Sequence, residues 1–493
     1  MPLISVIMLT YNHEKYISEA IESILNQSFK DFELIVLDDG STDNTGNIIK
    51  KYLSDSRVKY IYQENIGNKG FGIDKVINKA IELTNGKFIC FAPGDDVSIP
   101  NRLELQINKF RLDPSIDIVF SDMWIIDEKS QVIAQKYLPE FSFTSNSFLR
   151  LLFKINLVTA PTVMMKRKCI EKVGLFEQGL VSDYHYWLKS AKVLNFKFIK
   201  TPLVKYRIHQ KSLSRAPENR DFLVSETIRI LKLMRKYYTI YDLYPEIRYC
   251  KDKNRALSDA YLDFGNILLT GNFPIPDLAI KEFTKSLKHH PNLAALNNLG
   301  IAMILDGKIK GGITFLNKAL KQFGSNDKLL SNLNSATQML DGILSSQFHL
   351  LTINSKESEL KKTIDLYEQN PQHIEKKGYY YQAEALYNNG QETKAIKLFE
   401  KTLELDPNFA LAHNDLACIY WQKRNIKKAL HHITKAMELA PDNRDIIWNF
   451  GQILRGLGYA KNACKVYKDY LERHPGENEI RQVVEDLEKG QIF

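Results

Sequence analysis

The chain has 493 residues, 44% hydrophobic and 25% charged, an ordinary globular composition with room for two to four domains of roughly 100 to 200 residues. Disorder and collagen-like repetition are excluded, and no run approaches the roughly 18 apolar residues of a membrane span. The 67 basic and 58 acidic side chains give a formal charge of +9, which favours anionic partners such as nucleotides, acidic glycans or anionic lipid; cations interspersed with acids argue against nucleic acid.

The opening Met1-Pro2-Leu3-Ile4-Ser5-Val6-Ile7 enters strand-like sequence without a basic leader, so a cytoplasmic protein is expected, with a place at the inner face of the cell membrane left open. Five scattered cysteines, Cys90, Cys169, Cys250, Cys418 and Cys464, contain no C-x-x-C pair and are expected as buried thiols, not as disulfides or a zinc site.

Strands are predicted at Leu3–Leu9, Phe32–Asp38, Val58–Tyr62, Lys87–Ala92, Ile116–Ser121 and Phe196–Tyr206, separated by helical or turn-rich sequence. Between the first two, Tyr16, Ile17, Ala20, Ile21, Ile24 and Leu25 recur at helical spacing, one apolar stripe for packing on a sheet. This alternation predicts an α/β domain with a mostly parallel sheet over residues 1–215.

A helical linker is expected over 216–256. Within it, Leu223–Tyr244 mixes Ile, Leu, Met and Tyr with Arg229, Lys232, Arg235 and Lys236. Such a pattern fits either a helix docking two domains, the favoured reading, or peripheral membrane contact.

Beyond residue 257 helical pairs take over. Pro407, Pro441 and Pro475 are spaced by 34 residues, as are Ala395, Ala429 and Ala463; Ala383, Ala417 and Gly451, and Leu386, Tyr420 and Leu454, keep the same register. Small residues at two fixed points let paired helices approach, and Pro ends each second helix. This resembles tetratricopeptide repeats, predicted over 373–493. A looser pair covers 257–324, with Gly265 and Gly300, then Ala279 and Gly312, at the small positions, and 325–372 is expected as an irregular helical segment.

In open α/β sheets ligands bind beyond the carboxyl ends of the strands. There the chain carries Thr10-Tyr11-Asn12, Asp38-Asp39-Gly40-Ser41-Thr42-Asp43 and Gly94-Asp95-Asp96, and a later helix opens at Ser182-Asp183-Tyr184. Each alone is ordinary turn and cap chemistry. Together with Asn26-Gln27-Ser28, Glu64-Asn65-Ile66-Gly67, Val173-Gly174-Leu175-Phe176 and Tyr206-Arg207 followed by His209, they make the first 215 residues resemble the family 2 glycosyltransferases.

The resemblance implies a GT-A fold, Rossmann-like, followed here by an all-α tetratricopeptide-type solenoid. It implies nucleotide-sugar binding by Thr10, Tyr11, Asn12, Asp38, Asp39, Asn65, Gly67, Asp95 and Arg207, with Asp39 accepting from the uracil ring. Asp96 and His209 are the implied ligands of Mn²⁺ or Mg²⁺, which would stabilise the departing nucleoside diphosphate. Asp183 is the implied base, taking the acceptor's proton in an inverting displacement. The chain departs from the family pattern at Pro93 and Ser182, where acids are common. Trp187 is read as helix core.

The expected activity is thus metal-dependent transfer from a nucleotide sugar, a UDP-sugar first, to a hydroxyl of a glycan or protein acceptor, with the repeats recruiting acceptor or partner. The alternative is a repeat-based scaffold whose first domain is catalytically weak. A nucleotidyltransferase is disfavoured, because the chain has no glycine-rich phosphate loop near its N-terminus.

Overall fold

Residues 1–493 are described by a computed structural model except for 68–71, 137–144, 211, 213–218, 341–347, 353–357, 363, 365–378, 381, 385, 388–390 and 489–493. The strands are β1 (Ile4–Thr10), β2 (Phe32–Asp38), β3 (Val58–Tyr62), β4 (Phe88–Phe91), β5 (Val97–Ser98), β6 (Ile118–Ile126), β7 (Val132–Lys136), β8 (Met164–Lys166) and β9 (Phe196–Arg207). They form one sheet in the order β3-β2-β1-β4-β8-β6-β9-β5, with β7 on β6.

Pairing is parallel from β3 through β2 and β1 to β4, and again between β6 and β9. The β8, β7 and β5 pairings are antiparallel. The sheet is therefore mixed, parallel throughout only in its first half. Strands as short as β5 and β8 show no period in sequence, so their antiparallel pairing was not foreseen.

Helices in this part are α1 (Ile17–Leu25), α2 (Thr45–Lys50), α3 (Ile73–Glu82), α4 (Arg102–Leu112), α5 (Ser145–Lys154), α6 (Lys168–Val173) and α7 (Ser182–Ser190). On α1 the stripe Ile17, Ala20, Ile21 and Ile24 is fully buried in one cluster with Ile4, Val6, Leu34 and Val36 of the sheet. Each buried Ile contributes about 1.5–3 kcal/mol, so a charge at Ile21 would detach the helix. Every residue of β2 is buried, as a strand covered on both faces requires.

The chain divides into two compact units, Met1–Pro245 with Leu257–Ile353, and Glu246–Ala256 with Asn354–Phe493. The first continues with α8 (Arg220–Tyr237), α9 (Ile240–Leu243), α11 (Pro276–His289), α12 (Leu293–Leu305), α13 (Ile309–Phe323) and α14 (Asp327–Leu340); α10 (Lys253–Thr270) begins in the second unit's part of the chain. The apolar side of α8, with Ile230, Leu231 and Met234, is buried. Arg235 pairs with Glu282 of α11 at 2.8 Å, Lys232 with Asp277 at 2.8 Å, and Tyr238 Oη donates to Leu188 O of α7 at 2.6 Å. The stripe is thus covered within the first unit. Among the described residues no helix is long and apolar enough to cross a membrane.

Helix approach in the repeats follows the small residues. A Cβ on Gly300 of α12 would lie 2.9 Å from Gly312 O of α13, and one on Gly312 would lie 2.5 Å from Gly300 O. The second unit contains α15 (Glu392–Leu405), α16 (Ala410–Gln422), α17 (Ile426–Leu439), α18 (Arg444–Gly456), α19 (Ala460–Arg473) and α20 (Asn478–Glu488). A Cβ on Gly451 of α18 would strike the Tyr467 ring of α19 at 2.0 Å. Pro407, Pro441 and Pro475 stand just past the ends of α15, α17 and α19. Cys90, Cys169 and Cys250 are buried, while Cys418 and Cys464 are partly exposed.

Candidate functional site

Parallel pairing puts Thr10 opposite Asp38, so the loops after β1 and β2 leave the sheet side by side. Asn12 takes a left-handed backbone, φ 55°, which Asn tolerates better than most residues. There its Oδ1 accepts from Thr42 N at 2.8 Å, and its own N–H donates to Ser41 Oγ at 2.9 Å. Asn12 therefore ties the two loops together.

Asp38 accepts from Ser41 N at 2.9 Å and from Tyr60 Oη at 3.0 Å. Asp39 is 6% exposed, and its carboxylate accepts from Gln63 Nε2 at 2.5 Å, Ile66 N at 3.0 Å and Gly67 N at 2.8 Å. Asn65 Nδ2 donates to Asp39 O at 2.9 Å. Gly40, at φ 82°, admits this loop, because a Cβ there would sit 2.7 Å from Asn65 N. The 63–67 loop is thus built on Asp39. Thr10 is buried and Tyr11 is 45% exposed.

The loop after β4 lies against Thr10, and a Cβ on Gly94 would meet Thr10 Oγ1 at 2.8 Å. Gln27, fully buried beyond α1, donates to Ile99 O at 2.6 Å and accepts from Leu103 N at 3.0 Å, fixing the turn into α4. Between Asp96 and that turn, β5 pairs antiparallel with β9, Val97 opposite Lys205. Continuing that register brings Asp95 and Asp96 beside Arg207 and His209.

Arg207 is 1% exposed. Its N–H donates to Asp96 Oδ1 at 2.8 Å, its Nε to Asp95 O at 2.8 Å, its Nη1 to Asp127 O and Ser130 Oγ, and its Nη2 to Glu19 at 2.6 Å. The guanidinium also lies 4.7 Å over the Tyr16 ring. Through these bonds it braces Asp95 and Asp96.

His209 Nε2 lies 3.1 Å from Asp95 Oδ2, and His13 Nε2 lies 4.0 Å from the same oxygen. His13 Nδ1 is 3.2 Å from Thr10 Oγ1. Burial pushes the His13 pKa below its ordinary value, which favours the neutral imidazole a metal needs. Burial also pushes Asp95 up, but the His209 hydrogen bond and the two neighbouring imidazoles bring it below the usual carboxylate range. Burial and then the Asp95 charge drive Asp96 well above that range, and its Oδ2 is buried without a hydrogen-bond partner. Ligand atoms of His13, Asp95 and His209 all lie within 4.8 Å of one another, a donor set that fits a divalent cation. Asp96 lies outside this cluster: the carboxylate facing the histidines is Asp95, not the Asp96 favoured from sequence.

The profile described as Glycosyl transferase family 2 matches residues 5–174, and the Tetratricopeptide repeat profile matches 376–409 and 410–443. An uncharacterized glycosyltransferase of Methanocaldococcus jannaschii is 36% identical over 244 residues, 48% of this chain and 78% of the relative. The chain belongs to glycosyltransferase family 2. Another relative, the Escherichia coli UDP-Glc:alpha-D-GlcNAc-diphosphoundecaprenol beta-1,3-glucosyltransferase WfgD, is 33% identical over 43% of this chain and 79% of its own length. An uncharacterized glycosyltransferase of Rickettsia prowazekii is 33% identical, and the chain spans 64% of its length. Among solved structures, Staphylococcus aureus TarS 1–349 in complex with UDP aligns at 18% identity over 62% of this chain and 91% of that one, with a TM-score of 0.40.

Beyond the matched residues, Asp183 occupies the first turn of α7, its Oδ1 accepting from Tyr184 N at 2.6 Å. The segment leading there is pinned to α3, because Asn78 and Phe176 exchange hydrogen bonds at 2.9 and 3.0 Å. Ser182 is 1% exposed, and Trp187 is fully buried, edge-on to Phe176 and Phe196, so Trp187 is core. The residue that sequence reasoning missed is His13. Its signal was its place, directly after Thr10-Tyr11-Asn12 on the first strand's exit.

Proposed function

We propose that this glycosyltransferase moves a sugar from a UDP-sugar to an acceptor hydroxyl with inversion at the anomeric carbon. What carries the reading is the gathering of Thr10, Asp38, Asp39, Asp95, His13 and His209 at the carboxyl ends of β1, β2 and β4, where such sheets bind ligands. The UDP-glucose donor in the WfgD name supports the choice of nucleotide. Two imidazoles beside one carboxylate favour Mn²⁺ over Mg²⁺, which prefers oxygen ligands alone.

A divalent ion held by Asp95, His13 and His209 would supply positive charge against the departing diphosphate. Arg207 and Gln27 keep the Asp95 loop in place. Thr10 and Tyr11 border the base, and Asp39 offers a carboxylate to the uracil imide once the 63–67 loop yields one of its bonds. Asp183 takes the acceptor's proton as that oxygen bonds the anomeric carbon and the bond to the diphosphate breaks. The repeats recruit the acceptor or a partner protein.

UDP release from a panel of UDP-sugars with Mn²⁺ tests this, with donor binding followed in parallel. Asp95→Ala should weaken donor binding, while Asp183→Asn should leave binding intact and slow turnover about 10²–10⁴-fold. If no UDP-sugar binds the full chain in Mn²⁺, the reading is lost.

A further inference from the structure

The 34-residue register sets one repeat against the next. His413 of α16 corresponds to Ile447 of α18, and His432 of α17 corresponds to Val466 of α19. In the later repeat Ile447 is buried in an apolar cluster with Tyr467 and Ile480, and Val466 packs against the same cluster. Close packing of the paired helices is therefore met by aliphatic side chains at these two places. The earlier repeat has two imidazoles there, His413 buried and His432 partly buried, at the cost of taking polar rings out of water.

Both rings are held in one orientation. His413 Nε2 lies 3.0 Å from Pro407 O; a carbonyl can only accept, so that nitrogen carries the proton and Nδ1 keeps its lone pair. The lone pair faces His432 Nδ1 at 2.9 Å. The His432 ring is fixed in turn by stacking on Tyr420, with centroids 5.7 Å apart and an interplanar angle of 11°. Burial lowers the pKa of both histidines, so both rings are neutral at pH 7. Metal-ligating histidines donate their other ring N–H to a carboxylate, a backbone carbonyl or water, and His413 does so to Pro407.

We propose that His413 and His432 form a binding site for Cu²⁺, coordinated by their two Nδ1 atoms in the seam between α16 and α17. Metal–nitrogen bonds of about 2.0–2.1 Å put two ligand nitrogens about 2.9 Å apart at a right angle and about 3.4 Å apart at the tetrahedral angle. The observed 2.9 Å matches the right angle of square-planar or tetragonal Cu²⁺ and Ni²⁺, not the tetrahedron of Zn²⁺, and Cu²⁺ stands highest in divalent affinity. The ion takes the place of the proton between the two rings; that proton moves to His432 Nε2, so none is released. Water completes the coordination. The Lys428 and Lys435 charges reach these rings and oppose a further cation, so the site holds an ion that bonds nitrogen strongly. Neither sugar donor nor the Asp95 cluster takes part, so failure of this proposal leaves the transfer reading untouched.

The test titrates Cu²⁺ into the full chain in glycine buffer, which holds back weak surface sites, and reads the coordination by electron spin-echo modulation. The chain carries His13→Asn and His209→Asn, so the first unit's cluster does not contribute. One ion should bind at least tenfold more tightly than any other, with the modulation pattern of two imidazoles. His413→Ile and His432→Val, which install the side chains of the next repeat, should each weaken it at least tenfold. His431→Asn, at an exposed neighbour, should change it less than threefold. The modulation pattern is read with both ligands in place, so a variant that fails to fold does not decide the matter. No tighter ion, a single-imidazole pattern, unchanged affinity in His413→Ile or His432→Val, or loss of the site in His431→Asn would overturn the proposal.

Discussion

Arg207 holds Asp96 through its main chain, its N–H donating to Asp96 Oδ1 at 2.8 Å, while its buried side chain reaches Asp95 O, Asp127 O, Ser130 and Glu19. Lysine keeps the charge but cannot make this fan of bonds. Arg207→Lys should cost about 2–4 kcal/mol of stability in the first unit and weaken Mn²⁺ binding as the Asp95 loop loosens. Urea melts and manganese spin resonance measure the two effects; an unchanged melt would remove the strut role.

His13 and His209 should matter to the cation far more than to the fold. His13→Asn and His209→Asn should each lower Mn²⁺ affinity by about tenfold or more, read by titration of the full chain without substrate. Equal affinity in wild type and both variants would leave Asp95 without its partners.

Stability of the second unit should depend on pH through a histidine pair. His413 Nδ1 and His432 Nδ1 are 2.9 Å apart, so one proton lies between them, and the His432 ring stacks on Tyr420. Burial, followed by His413, His431 and Lys428, lowers the His432 pKa to about 4. The unfolded chain binds the proton more readily, so the stabilisation is present above about pH 6.5 and is lost as pH falls towards 4. The melting temperature of this unit should drop between pH 7 and 4.5, and His432→Gln should flatten the slope. An equal slope in the variant would assign the effect elsewhere.

Arg424 sits in the left-handed region, φ 58°, at the turn between α16 and α17, where the next repeat has Gly458 at φ 85°. An L side chain pays there and glycine does not. Arg424→Gly should therefore raise stability by up to about 1 kcal/mol in thermal melts; destabilisation would show that the exposed arginine makes up the strain through other contacts.

Much of this architecture was legible from residues alone. β2 and β3 have the predicted bounds, and β1 is shifted by one residue at each end; β1 and β2, paired in parallel and buried almost throughout, read as near-continuous apolar runs. The 34-residue register was legible because Gly451 and the three prolines act through sterics alone. β5, β7 and β8 were not read, since two to five residues beside a turn carry no usable period. Of the histidine and aspartate cluster, His209 was legible as a metal-site candidate, while the choice of Asp95 over Asp96 depends on the Val97–Lys205 register and His13 on the exit from β1.

The two-residue strand β5 joins the β4 loop to the far end of β9, closing a long excursion of the chain between them. Its ends are fastened by Arg207 and the Asp95–His209 contact, so the chain returns to hydrogen-bonding distance of the point it left. Asp183 lies inside that excursion and His13, Asp95 and His209 lie outside it. The His–Asp–His cluster and Asp183 are therefore carried by separate stretches of the chain, so the sequence of one can change without altering that of the other.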